Sequence, residues 1–231
     1  MTITAVDLFC GVGGLTHGLE LSGINVTAGY DIDECCRLPF EANNNANYIN
    51  KSVSELTGND LNIHYNGAQT RLLAGCAPCQ PFSNYTQALP KDERWGLLSH
   101  FGRLVTELRP ELITMENVPE LSRHEVFTEF VHQLKQEGYN VYHKVVYCPD
   151  YGIPQQRKRL VLVASIYGEI SLIPPTHKKH EYLSLKESIG SLPRLQAGKT
   201  NRNDSLHRAA GLSDINLSRI KASKPGGTWK D

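Results

Sequence analysis

The apolar positions of this chain fall into short blocks whose period switches between that of a strand and that of a helix. ITAVDLF (3–9) reads as an apolar strand; it runs into Gly11, Gly13 and Gly14, and LTHGLELSG beyond them has the apolar spacing of a helix ending near Gly23. INVTAGYDID (24–33) is a second strand with acids at its carboxyl end, and DECCRLPFEANN has the pattern of a helix interrupted by Pro39. Residues 44–70, rich in Asn and Gly, read as loop with a short strand near Tyr48 to Val53, and TRLLAGC (70–76) as a buried strand. HFGRLVTELRP (100–110) has helical spacing, ELITMEN (111–117) is strand-like and EVFTEFVHQLKQEGY (125–139) is an amphipathic helix. VYHKVVYC and RLVLVAS supply two further strands. Alternation of this kind predicts an α/β fold with an open, doubly wound, mainly parallel sheet. The pattern degrades after about residue 168, so residues 1–168 read as one domain and 169–231 as an extension in which Pro, Gly, Ser and Lys outnumber apolar residues.

Composition narrows the class. With 231 residues, 40% hydrophobic and 21% charged, the chain can bury one ordinary core. No apolar run approaches the roughly 20 residues of a membrane span, and the start lacks the layout of a secretion signal, so a cytoplasmic location is the default expectation. The six cysteines are thinly scattered, which favours free thiols over a disulfide framework. Net charge is zero, but residues 1–149 carry 10 Lys and Arg against 17 Asp and Glu, whereas residues 150–231 carry 14 against 7. A basic carboxyl third of this kind suits a phosphate-facing surface or a solvated tail.

Open α/β sheets bind ligands at the carboxyl ends of their strands, where a glycine turn admits a ligand to the backbone. DLFCGVGG (7–14) stands at such a position. It lacks the glycine that G-x-G-x-x-G would require at Thr16, which disfavours hydride chemistry with a nicotinamide cofactor. Asp31 and Asp33 follow Gly11 by about 20 residues, where a carboxylate can accept hydrogen bonds from ribose hydroxyls. Glycine turn and acid together suggest an adenosine-type ligand.

GCAPCQPFS (75–83) leaves three roles open for Cys79: nucleophile, redox partner of Cys76, or metal ligand. A structural zinc site needs about four ligands, and the sequence has no second C-x-x-C and no H-x-x-x-H, so no metal is expected. A redox dithiol belongs near the start of a helix, whereas Cys79 is followed by Gln80 and Pro81. Pro78 and Pro81 stiffen a loop at a strand end, and Glu116 and Asn117 end the neighbouring strand, so thiol, carboxyl and amide could share one cleft.

In this order DLFCGVGG, GCAPCQPFS, MENV (115–118) and PQQRKRL (154–160) resemble the successive motifs of the DNA cytosine carbon-5 methyltransferases, which use S-adenosylmethionine and release S-adenosylhomocysteine. The resemblance covers roughly residues 3 to 166 and implies a Rossmann-like methyltransferase sheet with a basic carboxyl-terminal extension. It makes Cys79 the covalent nucleophile toward carbon 6 of cytosine, Glu116 the acid that contacts ring nitrogen 3, and Asn117 the residue that orders the loop around Pro78 and Cys79. By the same resemblance Arg159 reaches the cytosine carbonyl oxygen and Arg157 supports that site. On the cofactor side it implies that Phe9, Gly11, Val12 and Gly13 form the methionine-side turn, Asp31 binds ribose, Ile32 packs on adenine, and Leu97 and Pro78 line the pocket. Ser52 and Val53 complete that set, in a Lys51-Ser52-Val53 stretch where the family usually carries Gly-Asp-Ile.

The implied partner is double-stranded DNA with a cytosine flipped out of the stack, in a bacterial restriction-modification or related system. The alternatives are an RNA cytosine methyltransferase, a catalytically silent nucleic-acid-binding relative, and a cysteine-dependent oxidoreductase in which Cys76 would be as essential as Cys79. Family members continue into a target-recognition region, of which the extension 169–231 reads as the start, and then a Gly-Asn-Ser-Val-like motif; by this resemblance neither is completed before KPGGTWKD. The expectation is therefore a chain of low activity alone, completed by a missing carboxyl-terminal region or a separate recognition subunit.

Overall fold

The computed structural model describes residues 2–78 and 91–224 together with Gly227, with side chains omitted for 91–95. Seven strands form one sheet: β1 (Ile3–Leu8), β2 (Asn25–Asp31), β3 (Asn47–Asn50), β4 (Thr70–Gly75), β5 (Leu112–Asn117), β6 (Asn140–Tyr147) and β7 (Lys158–Ser165). Their spatial order is β3-β2-β1-β4-β5-β7-β6. The first five are parallel, and β7 runs antiparallel between β5 and β6. The mainly parallel, doubly wound expectation holds for β1 to β5.

Helices α1 (Gly14–Leu21), α2 (Arg37–Asn43), α3 (Gly58–Asn62), α4 (Lys91–Leu108) and α5 (Glu125–Gln136) flank the sheet. Alternation along the strands divides the core into two layers. Val6 and Leu8 of β1, Leu73 of β4 and Leu160 of β7 pack with Phe101, Leu104 and Phe130 of α4 and α5 on one face. Ala5 and Leu72 pack with Val26, Phe40 and Tyr48 on the other. Pro39 does not break α2: it stands in the first turn, where backbone amides have no intrahelical acceptor to lose. Helix α4 begins nine residues before the helical spacing read at His100.

The chain divides into two compact units, Met1–Tyr182 and Leu183–Asp231. The second holds α6 (Leu185–Ile189), α7 (Asp214–Ala222) and an isolated antiparallel bridge between Thr200 and Arg208. None of its described residues is buried. Among the described residues no helix is long and apolar enough to cross a membrane.

Candidate active site

Strand register builds the site. Tyr30, Leu8, Gly75 and Met115 stand side by side across β2, β1, β4 and β5. One step further along each chain lie Asp31, Phe9, Cys76 and Glu116, so four distant segments deliver a carboxylate, a ring, a thiol and a second carboxylate to one edge of the sheet. This is the carboxyl edge, where the parallel strands all end and ligands of open α/β sheets bind.

At one end of that row the chain turns sharply after β1. Phe9 has φ 57°, Gly11 φ 52° and Gly13 φ 89°, left-handed conformations that non-glycine residues adopt at a cost. A Cβ on Gly13 would lie 2.3 Å from Asn44 Nδ2 and 2.9 Å from Phe40 Cδ2, so the turn also needs glycine to pack on α2. The Gly11 N–H donates to Asp31 Oδ2 at 2.9 Å and the Asp33 N–H to Asp31 Oδ1 at 3.0 Å. Both oxygens are thereby oriented while each keeps a lone pair for a further donor. Beside them Val12 and Ile32 are 58% and 71% exposed. An acceptor pair fixed by backbone amides, flanked by exposed apolar side chains, fits the ribose and base of a nucleoside.

Lys51, at the end of β3, donates its N–H to the Asp31 carbonyl at 3.1 Å, which brings Ser52 to the same region. The Ser52 hydroxyl accepts from Ser54 N–H and lies 2.7 Å from Ser54 Oγ, and it caps a single 3-10 turn. Val53 is 2% exposed and packed in the core, so its side chain supports this turn from beneath and offers no surface. Leu97 is half-buried on α4, and Pro78 is exposed. Cys79 lies outside the described residues.

The other end of the row is polar. Glu116 stands opposite Val161, and Arg159 opposite Val146, in the two antiparallel ladders. Arg159 is therefore the diagonal neighbour of Glu116 on one face, within reach for a long side chain. Its Nε lies 2.5 Å from Glu116 Oε1. Both line a cavity of about 410 Å³ with Arg157, Gln155 and Cys148, whose remaining wall is apolar, from Tyr151, Ile153, Leu172 and others. Burial pushes the Glu116 carboxyl above its usual range, while the Arg157 charge and a hydrogen bond from the Cys76 thiol pull it back. The Arg159 contact also favours the ionised form, so the carboxyl is poised between burial and three opposing partners.

Asn117 points to the opposite face and is buried. It donates through Nδ2 to the Ala77 carbonyl at 2.8 Å and accepts the Val118 N–H on Oδ1 at 2.8 Å. These bonds tie the end of β5 to the loop two residues before Cys79. Cys76, which the sequence offered only as a redox alternative, is drawn against Glu116 by the β4–β5 register. Burial, with the nearby Asp7 and Glu116 carboxyls, pushes its thiol well up. A thiol held protonated is a poor nucleophile or redox partner.

Parallel order β3-β2-β1-β4-β5 with β7 inserted antiparallel before β6, a glycine turn after β1 and an acid ending β2 together define a Rossmann-like α/β protein with a nucleoside-type site at its carboxyl edge. The chain belongs to the C-5 cytosine-specific DNA methylases, whose family model matches residues 3–230. It is 51% identical over 234 residues to Type II methylase M.HgiDII of Herpetosiphon aurantiacus, covering 100% of this chain and 66% of that protein. It is 30% identical over 239 residues to Type II methyltransferase M1.HphI of Haemophilus parahaemolyticus, covering 100% and 63%. The chain thus spans somewhat less than two thirds of the length of these relatives. A crystal structure of a protein described as a prophage-encoded DNA modification methyltransferase from E. coli superposes with a TM-score of 0.71 at 24% identity, over 86% of this chain and 57% of that one, and shows the same fold.

Proposed function

We propose that the chain carries the catalytic machinery for transferring a methyl group from S-adenosylmethionine to carbon 5 of cytosine in DNA. The observation that carries this reading is the pairing of Glu116 with Arg159 at the polar end of a strand-end row whose other end, Asp31 with the Gly11 turn, fits a nucleoside. Membership in the cytosine methylase family supports the choice of base and carbon. S-adenosylmethionine, when bound, supplies an electrophilic methyl group.

The chain's own residues act on the base. Carbon 5 of cytosine is a weak nucleophile, and addition of the Cys79 thiolate to carbon 6 forms a C–S bond and moves the ring electrons toward carbon 5. Glu116, protonated, places its proton on ring nitrogen 3 and so takes up the negative charge that addition would leave there. A carboxyl lifted by burial suits that donation near neutral pH. Arg159, already held beside Glu116, has guanidinium donors for the cytosine carbonyl oxygen, and Arg157 lines the same cavity. After methyl transfer a base takes the carbon-5 proton, and the C–S bond breaks with its electron pair leaving on sulfur, so that the thiolate returns. Ring nitrogen 3 gives its proton back to Glu116. Asn117 orients the loop that carries Cys79 by holding Ala77. Asp31 would hold the ribose hydroxyls of the cofactor, with Ile32 available to pack beside its adenine.

Labelled S-adenosylmethionine incubated in parallel with duplex DNA and with RNA tests the reading. Label should enter DNA at carbon 5 of cytosine, and Glu116→Gln should slow transfer by about 10²–10³, the effect of removing one well-placed polar group. Label in RNA alone, or an unchanged rate in the variant, would overturn the assignment.

A further inference from the structure

A second cavity of about 640 Å³ adjoins the groove. One wall is the 3-10 turn Pro119–Arg123 that follows β5; the other is the entrance to β7. It gathers the cations Arg123, Arg157, Lys158 and Arg159, with Glu120 as its one acid. Arg159 lies against Glu116, whose carboxyl also feels the Arg157 charge, whereas Arg123 and Lys158 make no ion pair with any described carboxylate. Among the other described residues of this unit Arg37, Lys51, Arg71 and Arg103 each hold an acid, while unpaired cations such as Lys135 and Lys144 stand singly on exposed surface and line no shared cavity with one another. Arg123 and Lys158, with no acid of their own, repel each other and the two arginines around one concavity, and an anion seated there removes the repulsion.

The position of the cavity identifies the anion. It shares Arg157 and Arg159 with the groove that holds Glu116, so the two cavities are neighbours across one pair of arginines. A cytosine drawn into the groove has phosphates on both sides of its own nucleotide. We infer that the second cavity seats a DNA backbone phosphate flanking the flipped cytosine, with Arg123 and Lys158 as its outer contacts. The inference rests on the methyltransferase reading and adds residues outside its four motifs or not used by its chemistry. Such contacts fix the strand's register without reading sequence.

Salt dependence of duplex affinity tests this without recourse to catalysis. Fluorescence anisotropy with a short labelled duplex between 50 and 200 mM salt would compare the 231-residue chain with Arg123→Gln, Lys158→Gln and the double variant. Lys135→Gln, an exposed cation on α5, serves as control. Each lost phosphate contact lowers the slope of log affinity against log salt by about 0.9, so the fall in affinity across this range should shrink about 3.5-fold per single variant and about 12-fold in the double. The control should keep the wild-type slope. A double variant with the wild-type slope, or a wild-type chain with no salt-dependent duplex binding, would overturn the inference. Methyl transfer to DNA by the wild type alongside an unchanged slope in the double variant would remove the phosphate seat and leave the methyltransferase reading standing. Reduced slopes alongside label that enters RNA and not DNA would do the reverse.

Discussion

Asp7 should make the protein less stable as pH rises from about 4 toward 7. It stands in β1, wholly buried, where its Oδ2 accepts from Thr16 Oγ1 at 2.8 Å and its Oδ1 has no partner among the described residues. Burial pushes its carboxyl from the ordinary 3.8 up to about 7, the Thr16 hydrogen bonds opposing and the Asp31 charge adding to the rise. Below pH 3.8 both folded and unfolded chains keep the proton, and nothing is lost. Between 3.8 and about 7 only the unfolded chain releases it, so stability declines by about 1.4 kcal/mol per pH unit, some 4 kcal/mol in all. Asp7→Asn preserves the shape and the acceptor for Thr16 but carries no charge. Urea unfolding at pH 5 and pH 8 should show the wild type losing about 3 kcal/mol more than the variant, since contributions from other groups are common to both and cancel. Parallel behaviour of the two proteins over that interval would refute the argument.

Asp31→Ala should weaken S-adenosylmethionine binding by about 1–3 kcal/mol, because two hydroxyl donors lose their acceptor in a partly desolvated cleft; calorimetry with unchanged affinity would move the nucleoside site elsewhere. Cys76→Ala removes a hydrogen bond that holds the Glu116 carboxyl down, so the Glu116 limb of the pH–rate profile should move to higher pH while Cys76→Ser largely keeps it in place. Loss of all activity in Cys76→Ala and Cys76→Ser alike would instead favour a dithiol.

Local pattern carried much of this. The five parallel strands and the glycine turn were legible because strand-length apolar runs and glycines act over a few residues, and Asp31 and Glu116 were legible because both close such runs. Lateral order was not: nothing local says that β7 enters the sheet between β5 and β6, and it is that insertion which sets Arg159 diagonally against Glu116. Cys76 reads in sequence as half of a C-x-x-C, and its contact with Glu116 depends on register between strands 40 residues apart. Asp7 sits inside an apolar run as one polar letter, and its burial beneath α1 follows from Thr16 on the next element. Arg123 and Lys158 belong to separate elements whose meeting is tertiary. Val53, matched by motif position to the cofactor set, is claimed by the core.

The central claim is that Cys79 bonds to carbon 6 of cytosine in DNA. The most direct measurement is mass spectrometry of the protein after incubation with S-adenosylmethionine and a duplex containing 5-fluorocytosine, in which fluorine at carbon 5 blocks release of the thiol. A stable protein–DNA adduct is expected, with the modified peptide carrying the oligonucleotide on Cys79, and Cys79→Ser should give none. An adduct on another cysteine, an equal yield from Cys79→Ser, or capture of RNA but not DNA would contradict the account.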